Sequence, residues 1–181
     1  MVNAAPLDPK APDVRLFAFA DALRSEVNLL IRQMGTPAAL VEGFQAAGLM
    51  PSWVRAEKPL EKQRTLLQWR GESRRKEDPN YWVKRLFQRL AVLQPDIAVI
   101  TDLRYPNEVT AVKAAGGYVG KIVRVGPSDV EVHEHESETA LDWYDGWDFT
   151  IEASTLAELK NTAVAVFSDI VHERKTCSTS T

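Results

Sequence analysis

Four residues able to hold a phosphorylated ligand lie close together in "ITDLRYPNEVTAVKAAGG" (100–117): Asp102, Arg104, Asn107 and Glu108. They follow an apolar run and precede a helical pattern, so they belong to a turn at the carboxyl end of a strand. An arginine offers a planar fork that matches phosphate or carboxylate. An aspartate at a strand end can hold a metal ion or a substrate hydroxyl, as in phosphoryl-transfer sites. It can equally cap a turn or a helix. A third arrangement makes Asp102 the carboxylate that orients Arg104 toward a phosphate. Arg104 can also be read as a salt-bridge partner of Asp102 or Glu108.

A second group is basic. "GESRRKED" places Arg74, Arg75 and Lys76 beside a glycine, either as a phosphate clamp or as a solvated charge run. Trp69, Tyr81 and Trp82 flank it and could stack on a base, although helical spacing makes Trp82 a core residue. "HEHESE" holds His133 and His135 two apart with Glu134, Glu136 and Glu138. No third ligand has metal-site spacing, so a titratable loop is expected there and no metal site. Neither a Ser-His-Asp nor a Cys-His signature occurs.

These groups need a scaffold, and the bulk numbers allow one. The 181 residues carry 45% apolar side chains, enough for a globular core. A net charge of -3 argues against a general nucleic-acid binder. Cys177 is the only cysteine, so no internal disulfide can form. No apolar run approaches the roughly 20 residues of a membrane span. The proline-rich start lacks an apolar signal core. The expectation is a soluble intracellular protein with a disordered arm over 1–13 and a disordered tail over 176–181.

Between them, 14–175 reads as one α/β domain. Strand patterns fall on Val14–Ala20, Ile97–Asp102, Tyr118–Val125 and "WDFTIEA". "DALRSEVNLLIRQM" reads as a helix with Asp21 as its N-cap. "LEKQRTLLQWRGESRRKED" reads as helical to Trp69 or Arg70, then turning at Gly71. Asp78-Pro79 reads as a helix start with proline in the first position. Trp82, Leu86, Leu90 and Leu93 form one stripe of the helix that follows. "IAVITD" has the continuous apolar character of a parallel strand covered on both faces. "PNEVTAVKAAGG" is a helix closed by glycine. An acidic, lid-like loop occupies about 126–147. Alternating strands and helices predict a mainly parallel sheet, with ligands at the carboxyl ends of its strands.

Five segments, in order, resemble the bacteriophage deoxynucleoside monophosphate kinase family, a branch of the P-loop kinases. They are "FAFADALRSEV", "LLQWRGESRRKEDPNYWVKRL", "ITDLRYPNEVTAVKAAGGYVGKIVRV", "HESETALD" and "IEASTLAELK". The resemblance implies a three-layer α/β fold and a cytoplasmic enzyme of an infected bacterium. It implies ATP and Mg2+ as cofactors and a deoxynucleoside monophosphate as phosphoryl acceptor; a homodimer is left open. By the same resemblance Asp21 and Arg24 lie near the substrate. Arg74 and Arg75 match the basic turn before the "DPxxW" helix. Asp102, Arg104, Asn107 and Glu108 match a D-x-R-x-x-N-E turn, and Arg124, Ser137 and Glu138 match the strand end and lid.

The chain departs from this family at its start. No strand and no G-x-x-x-x-G-K-[ST]-type loop precede Val14, and none of the nine glycines supplies such a loop elsewhere. Gly120-Lys121 falls inside a strand. The backbone cradle and lysine for the β- and γ-phosphates are therefore missing from these 181 residues. Either the segment is lost, or the start is assigned at an internal methionine of a longer chain. The missing strand is central in the family's sheet, between the strands matching 97–102 and 118–125. Its removal leaves a gap or a sheet that has closed up; the expectation is a four-stranded sheet with those two strands adjacent. The functional expectation is a kinase-like protein crippled on its donor side. The alternatives are a nucleotide-binding regulator without turnover and an interaction scaffold without nucleotide.

Overall fold

The computed structural model describes residues 12–57, 63–126 and 139–178. The arm over 1–11, most of the expected lid with Ser137, Glu138 and both histidines of "HEHESE", and the last three residues lie outside them. The chain is α/β and divides into two compact units, Met1–Leu103 and Arg104–Thr181.

The first unit runs β1 (Val14–Phe17), α1 (Ala20–Met34), α2 (Pro37–Ala46), α3 (Arg64–Glu77), α4 (Tyr81–Leu93) and β2 (Ile97–Ile100). Strands β1 and β2 pair in parallel, from Val14 opposite Ile97 to Phe17 opposite Ile100. The core lies among the helices. Val27 and Ile31 of α1 meet Leu40 and Val41 of α2, Leu66 and Trp69 of α3, and Met50 and Val54 of the connection. Gly35, at φ +86°, ends α1 in a conformation that a side chain would strain. Thr36 then starts α2 by accepting the Ala39 amide at 3.1 Å, with Pro37 in the first turn.

Helix α3 does not stop at Gly71 but continues to Glu77. Glycine costs an isolated helix roughly 1 kcal/mol relative to alanine, yet this glycine is buried between helices. A Cβ there would stand 3.5 Å from Leu23 Cδ2 of α1. Its carbonyl accepts the indole N–H of Trp82 at 3.2 Å. Packing thus overrides propensity. Trp82 and Leu86 are buried core residues of α4, while Leu90 and Leu93 are half-buried. Pro79 sits in the turn before α4, which begins at Tyr81; Asp78 accepts the Asn80 amide and shapes that turn.

The second unit runs α5 (Pro106–Ala114), β3 (Gly120–Arg124), β4 (Phe149–Ala153) and α6 (Leu156–Ser178). Gly116, at φ +72°, closes α5 as its sequence indicates. Strands β3 and β4 pair in parallel from Gly120 opposite Phe149 to Arg124 opposite Ala153. The Phe149 ring covers Gly120 so closely that a Cβ there would fall 1.9 Å from it. Asp148 pins the start of this ladder. Its carboxylate accepts the Val119 amide at 2.7 Å and Lys113 Nζ at 3.0 Å, and its own amide donates to the Val119 carbonyl. The Val119 hydrogen bond, then the Lys113 charge, hold the Asp148 carboxyl below the usual range against the opposing effect of burial. Thr155 and Glu158 form a capping box at the start of α6, with the Glu158 carboxylate on the Ser154 and Thr155 amides.

Two expectations about the sheet are corrected. Among the described residues the ladders are β1–β2 and β3–β4, each of two strands, and no four-stranded sheet forms with 97–102 beside 118–125. Strand β2 is also not covered on both faces: Ala98 is exposed and its neighbours are half-buried. A two-stranded ladder has too little area to bury its strands fully, and Leu16 of β1 remains 72% exposed.

Candidate functional site

Chemistry in the first unit gathers at the carboxyl ends of β1 and β2, where parallel strands deliver the chain into helices. Asp102 lies just past β2, half-buried. Its Oδ1 accepts the Phe19 amide at 2.7 Å and its Oδ2 the Ala20 amide at 2.9 Å. These are unsatisfied donors of the α1 N-terminus, so Asp102 caps α1 from the neighbouring strand. Asp21, read from sequence as the N-cap, is in the first turn instead. Its Oδ2 accepts the Ala18 amide at 3.3 Å and Arg89 Nη1 at 2.9 Å. Two carboxylates thus hold three successive amides, 18 to 20.

Two arginines complete this edge. Arg89, from α4, lies over the Phe17 ring at 5.4 Å while paired with Asp21. Arg24, one turn along α1, approaches Asp21 at 3.7 Å and is well exposed. The edge therefore combines two carboxylates, which hold the amides at the start of α1, with two arginines.

A second cluster bridges α1, α3 and α4. Arg70 Nε and Nη2 reach Glu26 Oε2 at 2.9 and 2.8 Å. Arg74 Nε approaches the same oxygen at 3.4 Å, and its Nη1 reaches Glu77 at 2.9 Å. The Tyr81 hydroxyl donates to Glu26 Oε1, and the Arg74 guanidinium lies 4.8 Å from the Tyr81 ring centre. Burial pushes the Glu26 carboxyl up, but Tyr81 and the arginines outweigh it and hold it below its ordinary range. The same hydrogen bond raises the Tyr81 phenol.

Arg74 therefore sits on a helix and not in a basic turn, and half-buried Arg75 follows it there. The sequence reading missed Glu26, Arg70 and Arg89. Ending α3 at Gly71 hid the i, i+4 relation of Arg70 and Arg74. Glu26 borders the apolar face of α1, a position that admits a partly buried charge only with partners.

The boundary between the units divides the D-x-R-x-x-N-E turn: Asp102 belongs to the first, Arg104, Asn107 and Glu108 to the second. Glu108 is 2% exposed, and its Oε2 accepts the amides of Arg104 at 2.8 Å and Tyr105 at 3.1 Å. It braces the start of α5. Asn107 is half-buried in the first turn of α5, and the Arg104 side chain is exposed. Arg124 is exposed at the end of β3.

Among the described residues no three His, Cys, Asp or Glu side chains are grouped to hold a metal ion. Both Asp102 oxygens already serve the α1 amides. The 181 residues contain no G-x-x-x-x-G-K-[ST]-type loop for ATP. No helix among the described residues is long and apolar enough to cross a membrane. No family model matches the chain, and no curated protein matches it.

Proposed function

We propose that this chain binds a deoxynucleoside monophosphate, as the acceptor half of a deoxynucleoside monophosphate kinase-type phosphotransferase. The observation that carries the reading is the carboxyl edge of the β1–β2 ladder. There Asp102 and Asp21 fix the α1 N-terminus while Arg89 and Arg24 stand beside it. The adjacent guanidinium groups are what favour a phosphate there. The strand pairing adds support: β1–β2 and β3–β4 are the pairs left when the central strand is taken from a P-loop-kinase sheet. In this reading the protein works in the cytoplasm of an infected bacterium.

The second reading, a nucleotide-binding regulator without turnover, is favoured by Asp102. Its oxygens are committed to backbone amides, where a kinase would direct such a carboxylate at metal or substrate. Calorimetric titration with each of the four deoxynucleoside monophosphates tests the shared core of both readings. Saturable binding by at least one is expected; no binding by any leaves an interaction scaffold.

A further inference from the structure

We propose that the cavity between α3 and the connection after α2 binds a small planar aromatic carboxylate. The cavity has a volume of about 380 Å³, and its lining includes Leu49 and Trp53 from the connection and Trp69, Glu72, Ser73 and Lys76 from α3. Ligand pockets of this size take a molecule of one or two rings. Residues 69, 72, 73 and 76 stand at i, i+3, i+4 and i+7, so they share one face of the helix. Trp69 is buried, and its ring meets Phe44 edge-on at 5.9 Å. The connection is fixed by hydrogen bonds. Gln45 Nε2 donates to the Pro51 and Val54 carbonyls at 2.9 Å each, and the Leu49 amide donates to the Phe44 carbonyl at 2.8 Å. Met50 and Val54 thereby enter the core, while Leu49 and Trp53, the residue before each, stay 65% and 47% exposed. Single exposed apolar residues need no partner. Here two of them line one preformed cavity, and a flat apolar ligand would cover both.

Charge narrows the ligand further. The Ser73 hydroxyl donates to the Trp69 carbonyl at 2.8 Å, and Glu72 has a partner of its own. Among the described residues Lys76 makes no ion pair or hydrogen bond, so its ammonium is the cation left for a ligand. An ammonium favours a carboxylate through a charge-assisted hydrogen bond. Tryptophan rings favour a flat π-face. A cationic ligand would meet Lys76 as a like charge.

The cavity shares no lining residue with the carboxyl edge of the β1–β2 ladder, and the proposal goes beyond the function given above. The full chain is titrated by calorimetry with indole-3-carboxylate, with indole, which lacks the anion, and with cyclohexanecarboxylate, which lacks the flat ring. Indole-3-carboxylate should bind saturably and about tenfold or more tighter than either control. Lys76→Gln should weaken it about tenfold and leave indole unchanged. Trp53→Leu should weaken both. Melting curves of the two variants should match wild type, because both side chains reach solvent. A saturating deoxynucleoside monophosphate should leave the affinity for indole-3-carboxylate unchanged. No saturable binding of indole-3-carboxylate overturns the site, as does binding that neither substitution weakens. Displacement by a deoxynucleoside monophosphate also overturns it and gives the cavity to the nucleotide. Binding as expected, with no nucleotide bound, supports the site and removes the nucleotide reading.

Discussion

The Asp102 carboxylate accepts the Phe19 amide at 2.7 Å, joining residues 83 positions apart. With Ala20 on its second oxygen, it supplies the cap that α1 does not draw from its own N-cap residue. Asp102→Ala should therefore destabilise the first unit by about 0.5–2 kcal/mol, the usual worth of a side-chain N-cap. Asp102→Asn keeps one acceptor oxygen and should cost less. Urea unfolding of the two variants checks the order; equal stability of Asp102→Ala and wild type would remove the capping role.

Glu26 makes the first unit sensitive to acid. Its folded-state carboxyl lies below the ordinary value, so its contribution is complete above the unfolded value, about 4.3. That contribution is lost as pH falls through the folded value. At pH 7, Glu26→Gln should be less stable than wild type by about 1–3 kcal/mol, for hydrogen bonds to a charged group. The difference should shrink as pH drops below about 4. Denaturation at stepped pH reads this directly, and a constant difference from pH 7 to 3 would contradict it.

Buried Glu108 serves the Arg104 and Tyr105 amides in the second unit. Glu108→Ala leaves those donors without their carboxylate and should cost about 1–3 kcal/mol. Hydrogen exchange offers a local readout: the Arg104 and Tyr105 amides should exchange faster, while those of α3 stay unchanged.

Gly120 lies beneath the Phe149 ring, with no room for a methyl group. Gly120→Ala should cost about 1–3 kcal/mol through displacement of the ring. Phe149→Leu combined with it should recover part of the loss. A melting temperature unchanged in Gly120→Ala alone would show that the ring yields freely.

Turnover is the remaining expectation. Phosphoryl transfer depends on a backbone cradle and lysine at the β- and γ-phosphates, which these 181 residues lack. A coupled assay with ATP, Mg2+ and any deoxynucleoside monophosphate should stay far below about 1 s⁻¹, the low end for kinases. A rate at that level would refute the crippled-donor reading.

Much of the local structure was legible in the sequence. Apolar spacing located Trp82 and Leu86, because a helix buries residues on one stripe. Gly116 announced the end of α5, because caps are chemistry between near neighbours. The D-x-R-x-x-N-E turn was correctly placed at a strand end before a helix. Three matters depended on residues far apart in the chain. Gly71 stays helical because Leu23 and Trp82 pack on it. Asp102 caps a helix 82 residues away, a role that Asp21 appeared to hold by adjacency alone. Glu26, Arg70, Arg74 and Tyr81 become one cluster only where α1, α3 and α4 meet. A periodic pattern records which face of an element is buried; which partner meets that face, and so which charges can share a site, is decided by packing.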